Sequence, residues 1–201
     1  MISVAVIPVK SFALGKQRLS SALDGETRAR LGRALAEHVA STMAMGGLMP
    51  LIVTADPDVA EWARGAGFAS LTDPGTGLDE AAAAGREWAL EEGRAWMVVH
   101  SDLPLLHPSD VAALSGPLSR GRTVIAPSAD GGTAAIGATT TARFSFGNAS
   151  FHRHLRDLND PVIVARPGLL LDIDSPRDLD AAATTSRGRW LVEVTGLVSG
   201  R

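Results

Sequence analysis

The chain has 201 residues, 45% hydrophobic and 20% charged, with a formal net charge of −3. That balance fits one domain (1–201) with a full-sized core and excludes a disordered chain. The weakly acidic charge offers no basic stripe for nucleic acid, and the lack of cysteine removes disulfides, thiolate-bound zinc and a thiol nucleophile.

The first segment, "MISVAVIPVK", is an apolar run with no basic region before it and no small-residue cleavage site. It is too short to cross a bilayer and reads as a strand over Ile2–Val9, so a cytoplasmic protein with no membrane partner is expected. Next, "VKSFALGKQRL" gathers Lys10, Lys16 and Arg18 where α/β folds hold nucleotide phosphates. An ammonium and a guanidinium suit a triphosphate as point charge and fork; taken singly, each is equally at home on a solvated surface. There is neither a Walker A nor a GxGxxG pattern, which argues against a P-loop protein or a typical dinucleotide binder.

Helical periodicity follows over Glu26–Met45, with Leu31, Leu35, Val39 and Met43 about one turn apart. Further strands are predicted at Pro50–Thr54, Ala69–Thr72, Trp96–His100, Thr123–Ala126, Thr133–Ala138, Pro161–Ala165 and Leu169–Asp172. Shorter helices are predicted at Asp58–Gly65, Leu78–Glu92, Pro108–Leu114 and Pro176–Ala183, three of them opened by a capping residue and Pro. This alternation predicts a doubly wound α/β fold: a mainly parallel sheet covered by helices on both faces. Ligands in such folds bind beyond the carboxyl ends of the strands, where the strand order reverses. Lys10, Thr54–Asp56, Ser101–Asp102 and Asp172–Asp174 should therefore converge on one rim.

Asp102 ends an apolar strand in "VVHSDLPLL", and "LLLDIDSPRDL" puts Asp172 and Asp174 on one face of an extended segment. Like charges so close repel unless a cation lies among them, and an oxygen-only ligand set suits Mg²⁺ or Mn²⁺ rather than zinc. Plain alternatives are a turn cap at Asp102 and a helix cap at Asp174. In "DGGTAAIG", Gly131 and Gly132 allow either close approach to a ligand or a simple hairpin turn, and Thr133 adds a hydroxyl. "FGNASFHRH" opens a helix with Asn148 or Ser150 near its N-terminus, as an anion site or as ordinary capping. The histidines carry little signal: His152 and His154 are too close in sequence to pair as i, i+4 metal ligands.

"VKSFALGKQRLS", "GLDEA", "SDLPLL", "GGTAAI", "FGNASFHRH" and "PGLLLDIDSPRDL" occur in the order seen in the 2-phospho-L-lactate/phosphoenolpyruvate guanylyltransferases of coenzyme F-420 biosynthesis. The resemblance runs from about Val6 to Leu179. It implies a nucleotidyltransferase fold of the nucleotide-diphospho-sugar transferase type, working as a monomer or homodimer. The implied reaction joins GTP to a small phosphorylated carboxylic acid with release of pyrophosphate. Carried over, Asp102, Asp172 and Asp174 resemble the Mg²⁺ ligands, with Asp102, Lys16 and Arg18 as the catalytic group. Thr133, Gly147 and Ser150 resemble the residues that hold the acid, and Lys10, Lys16, Arg18, Gly77 and Asp79 those that hold the nucleotide. Asp79 stands where members commonly carry Asn, and Ala134 where many archaeal members carry Asn. The second departure resembles actinobacterial members and favours phosphoenolpyruvate as the acid. The stretch 188–201 matches no recognisable motif. Rival readings are a nucleotidyltransferase for a sugar phosphate or molybdopterin, a D-x-D glycosyltransferase, and a non-catalytic nucleotide-binding module.

Overall fold

The computed structural model describes residues 2–75 and 77–197, so the last part of the stretch 188–201 lies outside the described residues. In chain order the elements are β1 (Val4–Pro8), α1 (Gly25–Met45), β2 (Met49–Thr54), α2 (Pro57–Gly65), β3 (Ala69–Thr72), α3 (Leu78–Glu91), β4 (Trp96–Val99) and α4 (Pro108–Ser119). Then come β5 (Val124–Pro127), β6 (Thr133–Ala138), α5 (Ser150–Asp157), β7 (Val162–Ile163), α6 (Pro167–Leu170), α7 (Pro176–Ala183) and α8 (Trp190–Thr195). The strands form one seven-stranded sheet in the order β3-β2-β1-β4-β6-β5-β7. β6 runs antiparallel to both neighbours and the other pairs are parallel. The exception follows from chain length: the short turn between β5 and β6 suffices for a hairpin, whereas a parallel pair needs a crossover of about a dozen residues.

Alternation along the strands fills both faces of the sheet. Ala5 and Ile7 of β1 join Met97 and Val99 of β4 in one core under α1 and α4. Val4 and Val6 join Trp96 and Val98 in a second core under α3. Both cores exclude water, which is why these strands read as continuous apolar runs rather than as alternating ones. The helix starts follow the Pro signals. Asp56 caps α2, His107 caps α4, and Ser175 forms a capping box with Asp178 at α7.

Three expectations change. The run Leu169–Asp172 is not a strand: Pro167 opens the short helix α6 over its first half, and Leu171 to Asp174 follow outside any sheet. Asp174 is not the cap of α7, because the neighbouring Ser175 takes that position. Neither Asn148 nor Ser150 caps α5, whose N-cap is Ala149 in a left-handed conformation (φ 54°). The uninterpreted tail also finds a role. Leu191 of α8 is fully buried, Trp190 stacks on His38 with centroids 5.1 Å apart, and its indole N–H donates to the Pro104 carbonyl.

Gly85 of α3 lets this helix lie directly on the sheet: a Cβ there would sit 2.2 Å from Val6 Cγ1. Gly85→Ala should lower the stability by about 1–3 kcal/mol through overpacking, read as a drop in the urea midpoint at unchanged slope. An unchanged midpoint would mean that α3 does not pack this closely.

Candidate active site

The strand order reverses between β1 and β4, and the loops leaving those two strands open a cleft of about 840 Å³. Lys10, Lys16, Asp56, Gly77, Asp102 and Asp174 are among the residues on its walls. These side chains are polar, yet buried apolar neighbours position several of them. Leu19 follows Arg18, Leu105 lies three residues after Asp102, and Ile173 separates Asp172 from Asp174; all three leucine and isoleucine side chains enter one cluster beneath the cleft. The Ile173 N–H also donates to the Asp102 carbonyl at 3.2 Å. With Ile173 anchored inward, the aspartates on either side are left to face Asp102. One carboxylate oxygen from each of Asp102, Asp172 and Asp174 lies within 4.8 Å of the others.

Lys16 supplies positive charge at this cluster. Its Nζ lies 2.5 Å from Asp102 Oδ2, 2.5 Å from the Ile173 carbonyl and 3.9 Å from Asp174 Oδ1. Arg18 approaches Asp174 from solvent at 3.3 Å. The Lys16 backbone is left-handed (φ 53°, ψ 36°), a conformation that costs a residue with a Cβ about 1–2 kcal/mol. The turn Gln17–Leu19 follows at once, and the Lys16 carbonyl accepts the Leu19 N–H.

The carboxylates have unequal electrostatics. Burial opposes the charge of Asp102, but the Lys16 ammonium and His100 outweigh it and hold this carboxyl below the usual range. Burial, and then the Asp102 charge, push Asp172 up to about 6. Asp102 Oδ1 is buried without a hydrogen-bond partner. An oxygen-only trio with one open buried acceptor and one carboxylate short of positive charge fits a hard divalent cation such as Mg²⁺ or Mn²⁺.

A second polar group lies at the start of β6 and α5. Thr133, Ser150 and His154 are each 1% exposed. His154 Nε2 accepts the Ser145 N–H at 2.8 Å, its Nδ1 faces Thr133 Oγ1 at 2.9 Å, and the Ser150 hydroxyl lies 3.2 Å from the same oxygen. Burial pushes the His154 imidazole below its usual range, which favours the neutral form. Arg153 donates to the carbonyls of Ser145, Phe146 and Asn148, while Asp79 Oδ1 accepts the Phe146 N–H at 2.8 Å. Between them these contacts fix the loop that carries Gly147, an exposed residue at φ 104°.

The structure thus gathers Lys16, Arg18, Asp102, Asp172 and Asp174 at one point, with Lys10 and Gly77 on the cleft wall. Thr133 and Ser150 meet in a separate buried corner, and Asp79 holds the Gly147 loop. Ala134 belongs to the core at 1% exposure. Sequence reasoning missed His154 and Arg153. The signal for Arg153 was absent, since its partners are main-chain carbonyls, which any sequence supplies.

The raised carboxyl of Asp172 has a consequence for stability. The folded chain binds this proton more tightly than the unfolded chain, so the stabilisation is full below about pH 4 and is lost as pH rises through about 6. In divalent-free buffer, wild type should lose on the order of 1 kcal/mol relative to Asp172→Asn between about pH 4 and pH 7, after allowance for solvent screening. Denaturant titrations across that range check it, and parallel pH profiles for the two proteins would contradict it.

Comparison with known proteins follows the same lines. The family model "Guanylyl transferase CofC like" matches residues 3–180. A phosphoenolpyruvate guanylyltransferase of Rubrobacter xylanophilus is 41% identical over 87% of this chain and 90% of its own. A 2-phospho-L-lactate guanylyltransferase of Methanopyrus kandleri is 33% identical over 90% and 92%. Among solved structures, a Desulfovibrio desulfuricans G20 protein assigned to the nucleotide-diphospho-sugar transferases superposes with a TM-score of 0.76 at 18% identity, covering 96% of this chain and 95% of its own. A nucleotidyl transferase from Methanothermobacter superposes at 0.59 with 17% identity, covering 89% and 94%. The two solved structures bear on the fold alone. Described helices include none long and apolar enough to cross a membrane. With the match spanning most of its length, the chain belongs to the CofC-like guanylyl transferase family.

Proposed function

We propose that the chain transfers the guanylyl group of GTP to phosphoenolpyruvate, releasing pyrophosphate, as a step toward coenzyme F-420. The observation that carries this reading is the meeting of Lys16 and Arg18 with the three aspartates at the reversal of strand order. Both reactants are polyanions, so the catalytic task is to neutralise and align them. A phosphate oxygen of the acid attacks the α-phosphorus of GTP in line. The bond from that phosphorus to the β-phosphate oxygen breaks, and pyrophosphate leaves with the electron pair. The nucleophile is already ionised at neutral pH, so no side chain needs to remove a proton.

Each residue then has a proposed task. Lys16 and Arg18 bind the phosphates of GTP and stabilise the charge that grows on the leaving pyrophosphate. Lys10 adds positive charge on the same wall, and Gly77 at the N-terminus of α3 leaves room for the nucleotide. Thr133, Gly147 and Ser150 hold the acid. Asp102, Asp172 and Asp174 would hold Mg²⁺, which when bound supplies charge neutralisation at the reacting phosphates. Asp79 is better suited to fixing the Gly147 loop than to reading the base, because its Oδ1 is already engaged by the Phe146 N–H.

Phosphoenolpyruvate is preferred because the relative from Rubrobacter xylanophilus, at 41% identity, carries that name. 2-Phospho-L-lactate is the second reading, favoured by the relative from Methanopyrus kandleri. The two acids differ at one carbon, a difference worth only about 1–3 kcal/mol in a pocket, so a minor product from the other acid is expected.

The test is to incubate the protein with Mg²⁺, each nucleoside triphosphate and both acids, measuring pyrophosphate and product mass. GTP with phosphoenolpyruvate should give pyrophosphate and the guanylylated acid as the main product. Pyrophosphate from a sugar phosphate but from neither acid would overturn the assignment, and a dominant lactyl product would overturn only the choice of acid. In the same assay, Lys16→Ala should lower kcat/KM for GTP with a smaller effect on the KM of the acid. The reverse pattern would assign this loop to the acid. Asp172→Asn should cut turnover by roughly two orders of magnitude, corresponding to about 3 kcal/mol of transition-state stabilisation. Near-wild-type turnover would remove it from the reaction.

A further inference from the structure

We infer that His154 is a positioning residue for the acid substrate: its fixed tautomer orients the Thr133 and Ser150 hydroxyls so that one O–H remains to donate to the substrate's anionic end. This rests on the proposed placement of the acid beside Thr133 and Ser150.

The inference follows from counting donors. A backbone N–H can only donate, and the Ser145 N–H points at His154 Nε2 from 2.8 Å. That ring nitrogen must therefore be the acceptor, and in the neutral imidazole the hydrogen then lies on Nδ1. Nδ1–H faces Thr133 Oγ1 at 2.9 Å, so this hydroxyl accepts from the ring. Thr133 and Ser150 share one further contact, at 3.2 Å. Three donors, the ring N–H and two hydroxyls, thus meet two contacts. One hydroxyl hydrogen is left over whichever way the pair is turned.

Thr133 and Ser150 are each 1% exposed, so bulk water does not readily take that hydrogen. A buried donor without an acceptor is unfavourable, and such groups mark places where a ligand completes the set. An anion is the chemistry that completes it, since phosphate and carboxylate oxygens only accept. The opposite tautomer would reverse the arrangement: Nδ1 would need the Thr133 hydrogen, and the corner would lose its spare donor. The imidazole reaches Thr133 across 21 residues of sequence and lies four residues after Ser150 on α5. Its effect on the hydroxyl pair passes through the threonine oxygen.

The experiment is a double-mutant cycle on the full chain with Thr133→Val, His154→Met and the double variant. Methionine has no N–H or O–H to offer Thr133, and its thioether is a weak acceptor for the Ser145 N–H. Each single variant should raise the KM of the acid roughly tenfold, the scale of one lost hydrogen bond, with the KM of GTP nearly unchanged. The double variant should be no worse than Thr133→Val alone, because His154 acts through that hydroxyl. Multiplying penalties, or an equal rise in the KM of GTP, would overturn the proposal in favour of a general structural role. A measurement on the wild-type protein needs no variant to fold: ¹⁵N chemical shifts of the ring should show the Nδ1–H tautomer at neutral pH. The Nε2–H form or an imidazolium would overturn the proposal. Should Thr133→Val leave the KM of the acid unchanged, both this proposal and the placement of the acid fail. Guanylyl transfer itself fails only if wild type releases no pyrophosphate from GTP.

Discussion

Three carboxylates that each bring an oxygen within 4.8 Å of the others repel one another and so create a demand for positive charge among them. Lys16 meets part of that demand at 2.5 Å from Asp102, and Arg18 adds to it from the solvent side. The demand is not fully met: Asp172 is pushed up to about 6, and Asp102 retains a buried oxygen without a partner. A site under this tension gains most from a cationic or cation-bearing ligand. Preorganised charge of this kind is also what phosphoryl chemistry requires, because it needs no rearrangement when the reaction occurs.

The charges stay together because the apolar residues between them are buried. Leu19, Leu105 and Ile173 come from three distant parts of the chain and share a cluster with Leu31 and Leu35 of α1 and Leu191 of α8. Burying each such side chain contributes about 1.5–3 kcal/mol, the same order as the repulsion between two neighbouring carboxylates. The C-terminal helix therefore matters to the site without touching it. An ion pair between buried Asp110 and partly exposed Arg187, at 2.7 Å, ties the segment before α8 to α4.

Much of this was legible in the sequence, for local reasons. The apolar runs of β1 and β4 are buried on both faces and read unambiguously as strands, and the Pro and capping signals marked α2, α4 and α7. The Asp172–Asp174 spacing was read correctly from a strand that does not exist. Leu171 to Asp174 still put residues i and i+2 on one side, outside the sheet. A short apolar run such as "PGLLL" does not distinguish strand from helix by periodicity, and Pro167 decided the matter. What the sequence could not reveal depends on distant partners. His154 was indistinguishable from His152 until the fold brought it to Thr133 and Ser145, and α8 had no meaning before α1 stood beside it.

The central claim is that Asp102, Asp172 and Asp174 form one cation site. Paramagnetic titration of Mn²⁺ into the nucleotide-free protein tests it directly, comparing wild type with Asp172→Asn. Removing one of three anionic ligands should weaken binding by at least roughly tenfold, with one ion bound by wild type under the same conditions. Equal Mn²⁺ affinity in the two proteins would contradict the account.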